Sequence, residues 1–246
     1  MNLSSILIKG ILIFAICSSI AGSSAPYHPG DSSIPLRDLS AGDSPLKASG
    51  QASFHERIST QGIDEKCDLD GKLTNVSSKS ILAFEASVDL FPHAGGGIHR
   101  DYKIDYIFDR DLLKPGSQFQ LQMDPPGRQV TRSEDTSRQP LRAESRVTFV
   151  QFADGTQFGK SDWGDALSSD RKTEMNIMTS LLQTYESKKE TGLSSAIDEG
   201  LAKRESKFVF ALYLQIKEQI AAKGVEGGMT DVKDQLANAR IHLNAL

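Results

Sequence analysis

The 246-residue sequence predicts a segregated α+β protein, a small antiparallel β-sandwich followed by a C-terminal region of about three α-helices. Three observations predict it. Apolar residues alternate with period two from Ile63 to Gly159. Beyond Gly159 they recur at steps of three and four. Turn residues separate about six or seven short strand-like runs between them. Hydrophobic residues make up 38% of the chain and charged residues 24%, enough apolar content to bury a core. That composition excludes disorder throughout, a collagen-like chain and a disulfide scaffold. A formal net charge of −4 lacks the basic footprint of a general nucleic-acid binder.

Taken from the N-terminus, Met1 to Lys9 forms a short basic segment, Gly10 to Ile20 an apolar run, and Ser-Ile-Ala-Gly-Ser-Ser-Ala follows. The run is shorter than the ~18 to 20 apolar residues that span a bilayer, so residues 1–21 read as a signal peptide with cleavage at 21–25. Ala21 or Ser23 suits the cut better than Ala25, which Pro26 follows. Ile16, directly before Cys17, is not the small residue a lipidated cysteine requires. The expected location is exported, periplasmic or secreted, with no transmembrane segment after signal removal. Residues 22–59 are rich in Ser, Gly, Pro and Asp and are expected to form a disordered linker. Cys67 is then the one cysteine of the mature chain, so no internal disulfide forms. It alternates with Leu69, Gly71 and Leu73 and is expected to be buried, while Asp64, Glu65, Asp68 and Asp70 are poor company for a reactive thiolate.

The sandwich is assigned to residues 60–160. Its first strand spans Asp68 to Asn75. Its clearest strand is Ile81 to Phe91, where Leu82, Phe84, Ala86, Val88 and Leu90 form the buried face. Tyr102, Ile104, Tyr106 and Phe108 give another, after a loop containing Gly95-Gly96-Gly97. Leu113-Lys114-Pro115-Gly116-Ser117 reads as a type II turn, with Gly116 supplying the positive φ. Ser117 to Gln122 continues as strand, residues 124–144 as a long arginine-bearing loop, and Arg146 to Ala153 as a strand apolar on both faces. Asp154-Gly155 then makes a tight hairpin turn. In the helical region, residues 161–246, Ser161 or Asp162 caps the first helix. Met175, Met178, Leu181, Leu182 and Tyr185 form its stripe and Gly192 ends it. A second helix carries Leu193, Ile197, Leu201, Phe208, Leu212, Ile216 and Ile220 up to Gly224. Gly227-Gly228 breaks the chain before a last helix with Val232, Leu236, Ala239 and Leu243.

Residues Thr74 to Ile81, Phe84 to Leu90, Leu113 to Gly116 and Val147 to Gly155 resemble the immunoglobulin-like, FxLYD-type sandwich domains of exported bacterial proteins. With Trp163-Gly164-Asp165 and a helical tail, the combination is similar to exported proteins of soil bacteria such as acidobacteria. The resemblance implies an extracytoplasmic immunoglobulin-like sandwich and brings no catalytic residues.

No nucleophile elbow, zinc helix, phosphate loop or paired-cysteine ligand set occurs in the sequence. His93 and His99, with Asp89 and Asp101 at the flanking strand ends, are ligand types for a transition metal. The five intervening residues match no established spacing, and an ordinary polar loop is the preferred reading. Asp101, Asp105, Asp109 and Asp111 read as the solvated side of a strand, and the arginines of 124–144 as a solvated loop. Trp163 is expected to pack the first helix onto the strands. Phe208 and Leu212 are expected in a core, with docking on a membrane or partner as the other use. The expected function is an exported non-catalytic binding or structural module of the cell envelope or periplasm, without cofactor. The alternatives are a metal-dependent or hydrolytic enzyme using His93 and His99, and peripheral attachment through the helical tail.

Overall fold

The computed structural model describes residues 31–59, 62–93, 96–123, 128–132 and 139–245. The expected signal peptide lies outside them. Residues 31–167 together with 238–245 form one compact unit, built on antiparallel sheets, and residues 168–237 form a second, helical one.

The first five-stranded sheet is built on a hairpin of β3 (Leu46–Ser59) and β4 (Gly62–Asn75), paired without interruption from Leu46 opposite Asn75 to Ser59 opposite Gly62. β1 (Ser32–Pro35) adds to β3. The other edge of β4 is shared by β7 (Gln118–Leu121) along residues 71–74 and β8 (Arg128–Arg132) along residues 63–67. In the second sheet β5 (Ile81–Phe91) lies between β6 (Ile98–Asp105) and β9 (Arg142–Phe152). β10 (Gln157–Gly159) and β2 (Arg37–Asp38) line the far side of β9, β2 running parallel to it.

Two expectations are corrected here. The linker assignment fails from residue 32 onward, because β1, β2 and β3 occupy it. The segment needs few apolar side chains of its own, since its backbone is paired: Leu36 N–H donates to the Gly50 carbonyl (2.9 Å) and Leu39 N–H to the Ser145 carbonyl (2.7 Å). The 124–144 stretch likewise holds β8, which satisfies backbone groups on the open edge of β4, and the start of β9, which pairs with β5.

One core lies between the sheets. Leu46, Ala52, Phe54, Cys67 and Leu73 face it from the first, and Phe84, Ala86, Val88, Leu90 and Val147 from the second. The Phe119 ring meets Phe84 at 5.2 Å and Tyr102 at 6.0 Å, both edge to face. Buried Asn75 ties the turns together. Its amide donates to the Lys79 and Leu113 carbonyls, each at 2.9 Å, and its oxygen accepts from Ser77. The expected turns are in place: Gly116 and Gly155 have φ of 76° and 80°.

Helix α1 (Asp162–Lys203) starts in the sheet unit, where the Ser161 hydroxyl accepts from Gly164 N–H at 2.9 Å as expected of a cap. α1 is broken at Lys189, and α2 (Lys207–Asn244) at Gly224. The tail is thus two helical stretches with one break in each. The expected stops at Gly192 and Gly227-Gly228 are helical instead. Within the helical unit, Gly200 abuts the Tyr213 ring and Lys217 pairs with Asp198 at 2.8 Å, which places the end of α1 beside the start of α2.

Candidate functional site

Alternation along β5, β6 and β9 turns one set of side chains inward and leaves a polar set on the outer face of the second sheet. Register then sets the rows. Asp89 lies opposite His99 on one side and Glu144 on the other, Ser87 between Asp101 and Arg146, and Glu85 beside Lys103. The result is a lattice of close contacts. Lys103 pairs with Glu85 at 3.3 Å, Arg142 pairs with Glu144 at 3.8 Å, and the Arg142 guanidinium stacks 4.1 Å above the Phe91 ring.

His99 is the centre of this face. Its Nδ1 is 2.7 Å from Asp89 Oδ1 and its Nε2 2.9 Å from Asp101 Oδ1. A carboxylate only accepts, so both contacts are hydrogen bonds when both ring nitrogens carry protons. The bond to Asp89 raises the imidazole pKa above its ordinary 6.5; burial opposes it, and the bond to Asp101 and the charges of both carboxylates add to the rise.

His93 has a different partner: its Nδ1–H donates to the Gln139 carbonyl at 2.5 Å, and Gln139 N–H returns a bond to the His93 carbonyl. The two histidines fasten separate strand ends. Among the described residues, no group of three His, Cys, Asp or Glu side chains could hold a metal ion. Asp105 accepts from Ile107 N–H in a local turn, and Asp111 from Lys114.

Cys67 is buried as expected. Burial first, then the charges of Glu65 and Asp68, pushes its thiol up to about 12, far from a nucleophile's range. Trp163 lies edge-on to Phe149 at 6.2 Å and packs with Ala83 and Leu167, seating the first turn of α1 on the outer face of the second sheet. Gly164 permits this, since a Cβ there would stand 2.7 Å from the Phe149 ring. In the helical unit Leu212 and Ile216 are buried, whereas Phe208 is 38% exposed and so leaves the core stripe expected of it. An open hollow at the Lys189 break is lined by Thr184, Lys188, Thr191, Ser195 and Glu199; neither His93 nor His99 lines it. No described helix is long and apolar enough to cross a membrane.

A second histidine clasp escaped the sequence reading. His55 on β3 stands 3.0 Å from Asp31 and 3.9 Å from Asp68, joining the start of the described chain to the outer face of the first sheet. The only trace in the sequence is the outward phase of His55 and Asp68. No family model and no curated protein matches the chain.

Proposed function

We propose that the chain is an exported, non-catalytic structural or binding module of the cell envelope or periplasm. One observation carries the reading: the side chains best suited to chemistry act as fasteners. His99 joins two carboxylates and His93 a carbonyl, while the Cys67 thiol is buried and Trp163 is packed on Phe149. The basic and apolar start, Met1 to Ala25, supports export. The resemblance of residues 75–159 to exported sandwich modules supports the same reading.

Expression in a bacterial host with the native N-terminus tests it. The protein should be recovered from periplasm or medium, shortened by about 21 to 25 residues, and native mass spectrometry of that fraction should find it free of metal. An intact N-terminus in the cytoplasm refutes export. Stoichiometric zinc, copper or nickel, lost on His93→Ala/His99→Ala substitution, would restore the metal-enzyme alternative.

A further inference from the structure

We propose that Asp89, His99 and Asp101 form a proton-operated clasp on the edge of the second sheet, holding β6 against β5 when the imidazole carries both protons and easing that edge when it loses one. Among the described residues β6 is the edge strand of its sheet, and its strand pairing is with β5 alone. The clasp sits next to the 92–97 connection, where Asp89 and His99 are directly opposed. One of its contacts is made across strands, and the other runs along β6.

A neutral imidazole has one N–H, so it can donate to Asp89 or to Asp101, and the other carboxylate then faces a nitrogen lone pair. The charges around it make this loss matter. From β5 the ring faces Asp89 and from its own strand Asp101, and Glu144 of β9 lies across Asp89. Among the described residues, the nearby cations are committed, one row away or turned to the other face: Arg142 pairs with Glu144, Lys103 pairs with Glu85, Arg146 lies opposite Ser87, and Arg100, opposite Val88, lies over the Tyr102 ring. His93, in the same connection, donates to the Gln139 carbonyl. The imidazolium is therefore the cation between two of three neighbouring carboxylates.

The sign follows from the direction of the shift. His99 has a raised pKa in the folded chain, so its contribution is full below the ordinary 6.5 and disappears as pH rises through the higher folded value. The edge is held in mild acid and eased toward alkaline pH.

Two measurements on the full chain decide the matter. In an NMR titration, the His99 midpoint should lie above the ordinary histidine value, and Asp89→Asn and Asp101→Asn should each lower it. Amide-exchange protection factors at the β5–β6 bonds near His99 should fall about two- to five-fold as pH passes the midpoint, the scale of an exposed ion pair. His99→Gln, which cannot titrate, should abolish that step, and β9–β10 protection should not show it. A midpoint at or below the ordinary value, indifference to both Asn variants, or protection that is level across the midpoint would overturn the clasp.

Discussion

The sheet unit and the helical unit stop their elements in different ways. In the sheet unit, turns are made by residues built for them: Pro115-Gly116, Asp154-Gly155, and Asn75 with its buried amide. In the helical unit the two breaks share a backbone conformation but not a residue type. Gly224 has φ 73°, ψ 167°, and Lys189 has φ 57°, ψ −154°. That region is open almost only to glycine. A helix break can thus be imposed on an unsuitable residue by the helices on either side, and strain at such a position is stored locally.

The sharpest test of the contrast is to open a cavity in each core. Phe84→Ala removes a ring buried between the sheets and should cost about 3 to 5 kcal/mol, and Leu212→Ala should cost about 2 to 5. Denaturant unfolding followed by far-UV dichroism and by Trp163 fluorescence reads both. Phe208→Ala, at a half-exposed site on the same helix as Leu212, should cost less than Leu212→Ala; equal costs would break the assignment of the core stripe.

Next come the breaks themselves. Gly224→Ala should destabilise by about 1 to 3 kcal/mol even though open space surrounds a Cβ there, because the cost is conformational. Lys189→Gly should do the reverse, raising stability by up to about 1 kcal/mol once the extra freedom of glycine in the unfolded chain is counted. Thermal melts of the pair decide it, and a Lys189→Gly variant that melts lower than wild type would show that the lysine side chain, not its strain, governs the site.

The smallest expected effect lies at a sheet turn. Asp154 is exposed, and hydrogen bonding to Lys79, then to Thr156, brings its carboxyl down to about 2. Its contribution is present above the ordinary carboxylate value and is lost as pH falls through about 2. Lys79→Met should return the NMR midpoint of Asp154 toward the ordinary value, with little change in melting temperature.

Much of this was legible beforehand, and the misses have physical causes. β5 is legible because apolar residues, three of them the large Phe84, Val88 and Leu90, recur at every second position along it. β3 was missed because its inner face carries the small Ala48 and Ala52 and the buried carboxylate Glu56, which dilute the period. Gly50 breaks that period too, with φ 129° and a Cβ position 2.2 Å from the Asp70 carbonyl. Gly224 announces a break and Lys189 cannot. Conversely, Gly228 reads as a stop but serves close packing, since a Cβ there would stand 2.7 Å from Ile220 Cγ1. At the candidate site, the residues were visible but their partnership was not. Which residue opposes His99 depends on the length and path of the connection between β5 and β6, and neither is written in the periodicity.

The uninterrupted β3–β4 hairpin has a consequence for how the chain reaches its structure. Its pairs join near neighbours in sequence, so the loop-closure entropy of starting it is small, and it offers both outer edges as templates. β1 can add to it from nearby chain, whereas β7 and β8 must wait for residues 118–132. The second sheet is completed later still, because β9 starts only at Arg142, and β2 finds Glu144 and Ser145 across more than a hundred residues. On the ribosome, the hairpin can therefore close long before the strand that completes its partner sheet has been made. The parallel β2–β9 contact is among the last to lock, and a chain halted before residue 142 exposes the unpaired edge of β5 to neighbouring chains.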